Sequence, residues 1–139
     1  MRALVGLLVV LFTIAGCNRG PTPPKRGPLS GKITLDGKPV ANGQIRLMSL
    51  EPNGINAVAA VTSGEYHMPA DLGPAKGKYR VEFSVPSATK RRIPNDDIPG
   101  QWLEEAPETL PARYHRESAI TFDYDPATKP TFDYDLRSQ

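Results

Sequence analysis

The chain has 139 residues and a formal net charge of +2, and 39% of its residues are hydrophobic and 23% charged. This length is sufficient for one domain. A charge so close to balance lacks the basic face that nucleic-acid binding requires, so nucleic acid is not expected among the partners. The single cysteine, Cys17, excludes an internal disulfide.

The first 17 residues have the pattern of a secretory signal that ends at a cysteine. Arg2 gives a positive start, and residues 3–14 are almost wholly apolar but too few to favour a membrane-spanning helix. Ile14-Ala15-Gly16-Cys17 is similar to the lipobox at which bacterial lipoproteins are cleaved and acylated. We therefore predict a signal peptide at residues 1–16 and a lipid, such as palmitate, on Cys17. The alternative is a soluble secreted protein with a free thiol.

Residues 17–27 are predicted to form a flexible tether. Glycine and proline are frequent in this segment and no apolar period is present. Lys25 and Arg26 lie close to the predicted lipid, and two interpretations fit them. They either contact anionic lipid head groups or belong to a solvated linker.

Apolar and polar residues begin to alternate in residues 31–47, first around Ile33 and again around Ile45. A period of two is typical of a strand with one buried face. Between the two stretches, Asp36-Gly37 and Asn42-Gly43 are dipeptides that favour tight turns. The pattern therefore predicts two strands joined in a hairpin.

Similar patterns continue along the chain and predict seven strands in all. The clearest alternation is in the fifth strand, where Tyr79, Val81 and Phe83 share one face, and we expect this strand to be central. Seven strands is the number expected of a Greek-key β-sandwich. The predicted strands are residues 29–35, 44–48, 57–61, 65–68, 78–85, 119–124 and 131–136.

Three of these stretches resemble the carboxypeptidase regulatory-like domain, a transthyretin-like β-sandwich common in small bacterial envelope lipoproteins. They are Gly-Lys-Ile-Thr-Leu-Asp-Gly-Lys-Pro-Val-Ala-Asn-Gly-Gln-Ile-Arg-Leu at 31–47, Ser-Gly-Glu-Tyr at 63–66 and Gly-Lys-Tyr-Arg-Val at 77–81. The resemblance covers residues 28–136 and implies an all-β, seven-stranded Greek-key fold. Turn glycines and core positions carry it, so it implies no particular chemistry.

The strand pattern stops in a long loop at residues 86–117. Basic residues at 90–92 precede acidic residues that surround Trp102, the only tryptophan, and residues 101–106 are predicted to form a short helical turn. A loop of this length is usually functional or mobile. Trp102 is either an exposed contact for a partner or a cover over the sandwich core.

The chain then repeats Thr-Phe-Asp-Tyr-Asp at residues 121–125 and 131–135. We predict that the two copies pair as a hairpin with an aromatic face toward the core, which places Asp123 opposite Asp133. The aspartates of both copies then share the outer face. Two interpretations fit: a calcium site, or a solvated acidic face relieved by Lys129 and Arg137. The four candidate ligands are Asp123, Asp125, Asp133 and Asp135.

Residues with catalytic potential are few. His67 and His115 are too few to build a zinc site and are expected to be ordinary surface residues. The chain has neither a nucleophile elbow nor a phosphate-binding loop, so we do not expect an enzyme. The alternative is a small-molecule or carbohydrate hydrolase that uses carboxylates of the long loop, such as Glu104 and Glu105.

The sequence therefore predicts a lipid-anchored envelope protein with a non-catalytic interaction or structural module. It is expected at the cell membrane or outer membrane, facing the periplasm or the cell surface. The expected partners are the membrane, through the lipid on Cys17, and an envelope protein or glycan. No cofactor is expected other than calcium at the C-terminal aspartates.

Overall fold

A computed structural model describes residues 22–139 of the chain. The predicted signal peptide, Cys17 and the first residues of the predicted tether lie outside the described residues. The described part is all-β, as predicted, with a single turn of 3-10 helix at Ala112–Tyr114. Within residues 22–139, no helix has the length and apolar character needed to cross a membrane.

Between residues 22 and 139 the chain forms ten strands. Seven of them begin and end within three residues of the predicted positions, whereas β2, β7 and β8 were not predicted. The strands are β1 (Leu29–Leu35), β2 (Lys38–Pro39), β3 (Asn42–Ser49), β4 (Ala57–Thr62), β5 (Glu65–Met68), β6 (Gly77–Ser84), β7 (Arg91–Pro94), β8 (Trp102–Glu105), β9 (Thr121–Tyr124) and β10 (Tyr134–Leu136).

Eight strands form one curled sheet in the order β10-β1-β5-β4-β3-β6-β9, with β2 paired to β1, while β7 and β8 pair separately. Neighbouring strands are antiparallel, except that β10 runs parallel to β1. The predicted hairpin of β1 with the strand around Ile45 is wrong, because β3 pairs with β4 and β6 instead. β6 is an interior strand, flanked by β3 and β9, although it is not the middle one.

The two predicted turn dipeptides have different outcomes. Asp36 and Gly37 have φ values of 50° and 78°, which confirms a tight turn in the left-handed region. Asn42 and Gly43 lie inside β3, so the second predicted turn is wrong. A Cβ on Gly43 would lie 2.8 Å from the carbonyl oxygen of Ser84, so this glycine allows two strands to approach closely.

The core lies inside the curve of the sheet. Its largest fully buried side chains include Tyr79, Tyr124 and Phe83. The ring of Phe122, in β9, lies 4.6 Å from that of Phe132, which precedes β10. Because β9 and β10 are the two edges of the sheet, this contact shows that the sheet folds over its core until its edges meet.

The predicted C-terminal hairpin is wrong. The first copy of the repeat pairs through β9 with β6, and the second pairs through β10 with β1. Each copy therefore occupies a different sheet edge, where tertiary contacts hold it. The carboxylate of Asp133 accepts a 2.7 Å hydrogen bond from the backbone N–H of Lys32, and the ring of Tyr134 stacks on Phe83 at 5.3 Å.

The sheet has a proximal end and a distal end, defined by where the chain enters it. At the proximal end Gly27 donates a 2.9 Å backbone hydrogen bond to Pro74, so the fold begins inside the segment predicted as a tether. β1 and β6 both begin at this end, and β1 ends at Leu35 and β6 at Ser84 at the distal end. The first and last of the eight residues of β6 lie seven steps of about 3.3 Å apart, so about 23 Å separates the two ends.

Candidate functional site

The long loop at residues 86–117 contains the β7–β8 hairpin, which emerges from the distal end of the sheet. Its register pairs Arg91 with Glu105 and Ile93 with Leu103. The predicted helical turn at residues 101–106 is therefore wrong. The reason is that the basic and acidic segments of the loop meet across strands, and this cross-strand pairing favours extended backbone.

Ion pairs hold the two strands of the hairpin in register. Lys90 Nζ lies 3.2 Å from a carboxylate oxygen of Glu104, and Arg91 Nε lies 2.6 Å from one of Glu105. All four side chains are substantially exposed, so each pair contributes at most about 1 kcal/mol. The pairs therefore contribute little to the stability of the protein. Their main effect is to determine which residues of the two strands face each other.

Trp102 lies outside the core, with 55% of its surface exposed. The Arg92 guanidinium lies 5.6 Å from the centroid of its ring, a cation–π contact that holds the indole on the hairpin face. Trp102 therefore does not cover the sandwich core, and its role as a contact for a partner stays a prediction. Leu103 and Ile98 are also about half exposed. Because adjacent strand residues point to opposite faces, Trp102 and Leu103 give both faces of the hairpin apolar surface.

Glu108 fastens the base of the hairpin to the sheet. Its carboxylate accepts hydrogen bonds from the Ser84 hydroxyl at 2.7 Å and from the backbone N–H of Val85 at 2.9 Å. The N–H groups of Thr109 and Leu110 also donate to it, each at 3.0 Å. Burial acts to raise the pKa of Glu108, but these hydrogen bonds together outweigh it and hold the pKa below the ordinary 4.5.

Beyond its base, the hairpin packs mainly on itself, since the principal neighbour of β7 is β8. An isolated two-stranded hairpin is only marginally stable in water. The hydrogen bonds to Glu108 and the 2.8 Å backbone hydrogen bond from Ser87 to Pro107 therefore fix the direction in which the hairpin leaves the sheet. This arrangement presents aromatic and aliphatic side chains to solvent on a short, anchored arm.

The carboxylates of the alternative hydrolase hypothesis do not converge. Glu104 and Glu105 are neighbours in β8 and point to opposite faces, where they pair with Lys90 and Arg91 respectively. His67 is exposed on β5. His115 has its Nε2 3.1 Å from the carbonyl oxygen of Leu110. In the described part of the chain, no three His, Cys, Asp or Glu side chains are grouped so that they could hold a metal ion.

The four repeat aspartates are also dispersed, because the hairpin that would have gathered them is absent. Asp123 lies across from Lys78 in the sheet, and Asp125 forms a 2.8 Å ion pair with Lys76. That pairing lowers the pKa of Asp125. The calcium hypothesis required Asp123 opposite Asp133, and this register does not occur.

The remaining two aspartates, Asp133 and Asp135, accept hydrogen bonds from β1 and the turn that follows it instead of sharing a ligand. Asp135 accepts hydrogen bonds from Thr34 Oγ1 at 2.6 Å and from the Gly37 N–H at 3.0 Å, which lower its pKa. It also forms a 2.6 Å ion pair with Arg137, one of the two cations predicted to relieve the acidic face. These carboxylates fasten β10 to β1.

Several open grooves lie on the described part of the sheet, and two of them are large. The first, of about 640 Å³, crosses the outer face of β1, β5 and β4 and is lined by polar residues that include Ser30, Thr62 and His67. The second, of about 510 Å³, lies at the distal end between residues 35–42 and 85–88, beside the base of the hairpin. Sequence reasoning missed both grooves, because they join segments that are far apart in the chain.

On the exposed surface of the β7–β8 hairpin, the sequence analysis identified Trp102. It missed the other residues of that surface, which are Arg92, Ile98 and Leu103. A signal for them was present. Residues 91–94 and 102–105 carry opposite charges at matched spacing on either side of a polar segment that contains Gly100, whose φ is 87°. Reading those charges as cross-strand partners would have predicted the hairpin.

Comparison of the chain with protein-family models, with curated proteins and with solved structures finds no match in any of the three. The proposals that follow therefore depend on the chain's own residues.

Proposed function

We propose that this protein is a lipid-anchored, non-catalytic module of the bacterial cell envelope that binds another envelope component through the β7–β8 hairpin. The observation that carries the proposal is Trp102, which Arg92 holds outside the core on a hairpin fastened at its base. Aromatic residues and arginine are enriched at protein interfaces. An aromatic ring beside charged groups also suits stacking on a sugar, so the partner is an envelope protein or a glycan.

We infer that the domain is a Greek-key β-sandwich of the carboxypeptidase regulatory-like, transthyretin-like type. The all-β architecture supports this inference, as does the contact between the rings of Phe122 and Phe132 from opposite edges of the sheet. The stretches that carry the resemblance occupy the turn at Gly37, the turn at Gly64 and the interior strand β6.

The lipid belongs on Cys17, which places the protein at the cell membrane or the outer membrane, facing the periplasm or the cell surface. Its support is Ile14-Ala15-Gly16 immediately before the cysteine. Cys17→Ser is expected to release the protein from the membrane fraction and to block maturation. The anchor would be contradicted if this variant were still found in the membrane fraction and mass spectrometry showed an unmodified thiol in the wild type.

The partner is tested by cross-linking in the native envelope, followed by purification of the intact lipoprotein. Trp102→Ala is expected to lose the cross-linked species that the wild type captures. Val58→Ala is the matched control, because Val58 is 48% exposed and lies in β4, away from the hairpin. Equal recovery from Trp102→Ala and from the wild type would overturn the role of the hairpin. Mass spectrometry of the captured species distinguishes a protein from a glycan.

A further inference from the structure

The exposed apolar side chains of the described residues are concentrated at the two ends of the fold. Ile98, Trp102 and Leu103 lie on the hairpin beyond the distal end, and Val58 lies near the middle of the sheet. The remaining two large ones, Leu50 and Leu72, lie at the proximal end. Single exposed leucines are common on protein surfaces, so the position of these two must be judged with what surrounds them.

The proximal end is also where the N-terminal chain is fastened. The Arg26 guanidinium donates hydrogen bonds to the carbonyl oxygens of Leu72 at 3.3 Å and Gly73 at 3.1 Å. The loop that exposes Leu72 is thus tied directly to the incoming chain. Leu50 follows β3 at the same end, where its N–H donates to the carbonyl of Lys78 at 2.9 Å.

We propose that the proximal end rests on the bilayer surface, with Leu72 and Leu50 in contact with lipid and the β7–β8 hairpin held on the side away from the membrane. This proposal rests on the lipid at Cys17 in the proposed function. Eight residues separate Cys17 from Arg26, so the chain between these two positions extends to at most about 32 Å. The clamp at Arg26 therefore makes the proximal end the part of the fold nearest to the anchor.

The size of the apolar contact favours a bilayer as its occupant. A stable contact with a second copy of the chain needs about 1,000 Å² of buried surface, far more than two leucines supply. A chain that is already anchored meets the bilayer at a high effective concentration, so a small contact is sufficient. Lys25 and Arg26 precede the fold at this end and add attraction to anionic head groups.

Tryptophan emission tests the orientation, because the chain has only one tryptophan. The full lipidated chain is reconstituted in vesicles of phosphatidylethanolamine and phosphatidylglycerol whose acyl chains are brominated, which quenches nearby indoles. Trp102 of the wild type is expected to keep its emission. In the variant Trp102→Phe/Leu72→Trp the introduced tryptophan is expected to lose most of its emission, whereas in Trp102→Phe/Val58→Trp it is expected to keep it.

Flotation of the same vesicles separates the outcomes. A chain that does not float overturns the lipid anchor and, with it, this orientation. A chain that floats while position 72 remains unquenched, or while Trp102 is quenched equally, overturns the orientation alone. Protection of position 72 from acrylamide without quenching by bromine would instead show that a second copy covers it. Trp102→Phe/Leu50→Trp provides the same readout if the change at Leu72 disturbs folding, which circular dichroism detects.

Discussion

The sheet and the β7–β8 hairpin are held together by different forces. The sheet encloses fully buried side chains such as Tyr79 and Phe83, whereas the hairpin relies on exposed ion pairs and on Arg92 above Trp102. Burial of a large apolar side chain stabilises a fold by about 1.5–3 kcal/mol, and an exposed ion pair by at most about 1 kcal/mol. Stability therefore resides in the sheet, whereas the hairpin exposes apolar side chains such as Trp102 and Leu103.

The largest expected contrast compares one buried and one exposed apolar residue. Phe83→Ala should lower the free energy of unfolding by about 3–5 kcal/mol, because it leaves a cavity beside Tyr134. Leu103→Ala should change it by less than about 0.5 kcal/mol, as is usual at exposed sites. Chemical denaturation of both variants measures the difference. Comparable losses would show that the hairpin is part of the core and would remove the distinction.

A second expected effect concerns the contact between β1 and the second repeat copy. A Cβ on Gly31 would overlap the carbonyl oxygen of Phe132, which is backbone and cannot move aside easily. Gly31→Ala should therefore cost about 1–3 kcal/mol, the usual range for overpacking. Denaturation midpoints measure it, with Lys32→Ala as an exposed neighbour for control. A neutral Gly31→Ala would mean that β1 and residues 131–133 lie further apart.

The turn at Gly37 should give a smaller effect. No atom lies within 4 Å of a Cβ built on Gly37, so the cost of substitution comes from its φ of 78° alone. Gly37→Val should lower stability by about 1 kcal/mol or more, because a β-branched residue is strained in the left-handed region. Lys38→Val, one residue later in β2, is the control. An unchanged melting midpoint for Gly37→Val would show that the turn is not tight.

Glu108 predicts a pH effect at the boundary between the two regions. Its pKa in the folded protein lies below the ordinary 4.5, so its carboxylate stabilises the fold at neutral pH. This stabilisation is complete above the unfolded pKa and is lost as the pH falls through the folded pKa. Asp36, Asp125 and Asp135 also have lowered pKa values, so the wild type loses stability in acid for several reasons.

The variant Glu108→Gln should show how much of the loss of stability in acid is due to Glu108. The variant should be less stable than the wild type at pH 7, and this difference in the free energy of unfolding should narrow as the pH falls below the ordinary pKa of 4.5. Urea denaturation across this range measures the difference. A difference that is independent of pH would contradict the role of the ionised carboxylate in fastening the hairpin.

The strands of the sheet could largely be predicted because burial imposes a local period of two. β6 alternates buried and partly exposed residues along almost its whole length, as its sequence indicated. The hairpin escaped prediction because both of its faces are exposed, so no apolar alternation marks its strands. Its signal is instead electrostatic and joins residues 14 positions apart, such as Arg91 and Glu105.

The repeat shows why pairing could not be predicted from local sequence. Two identical pentapeptides, at residues 121–125 and 131–135, pair with different strands and in different directions. Their sequence specifies an extended backbone with aromatic and acidic faces. Tertiary contacts decide which strand each copy pairs with. Asp133 and Asp135 accept hydrogen bonds from the backbone of residues around β1, whereas Phe122 packs in the core beside β6.

The most direct test of the proposed division between sheet and hairpin is the fluorescence of Trp102 in the isolated protein. The indole is 55% exposed on the hairpin. Its emission should therefore be almost as red as that of free indole in water and should be readily quenched by acrylamide. Blue emission that resists acrylamide would place Trp102 in the core and would contradict the hairpin as a contact surface.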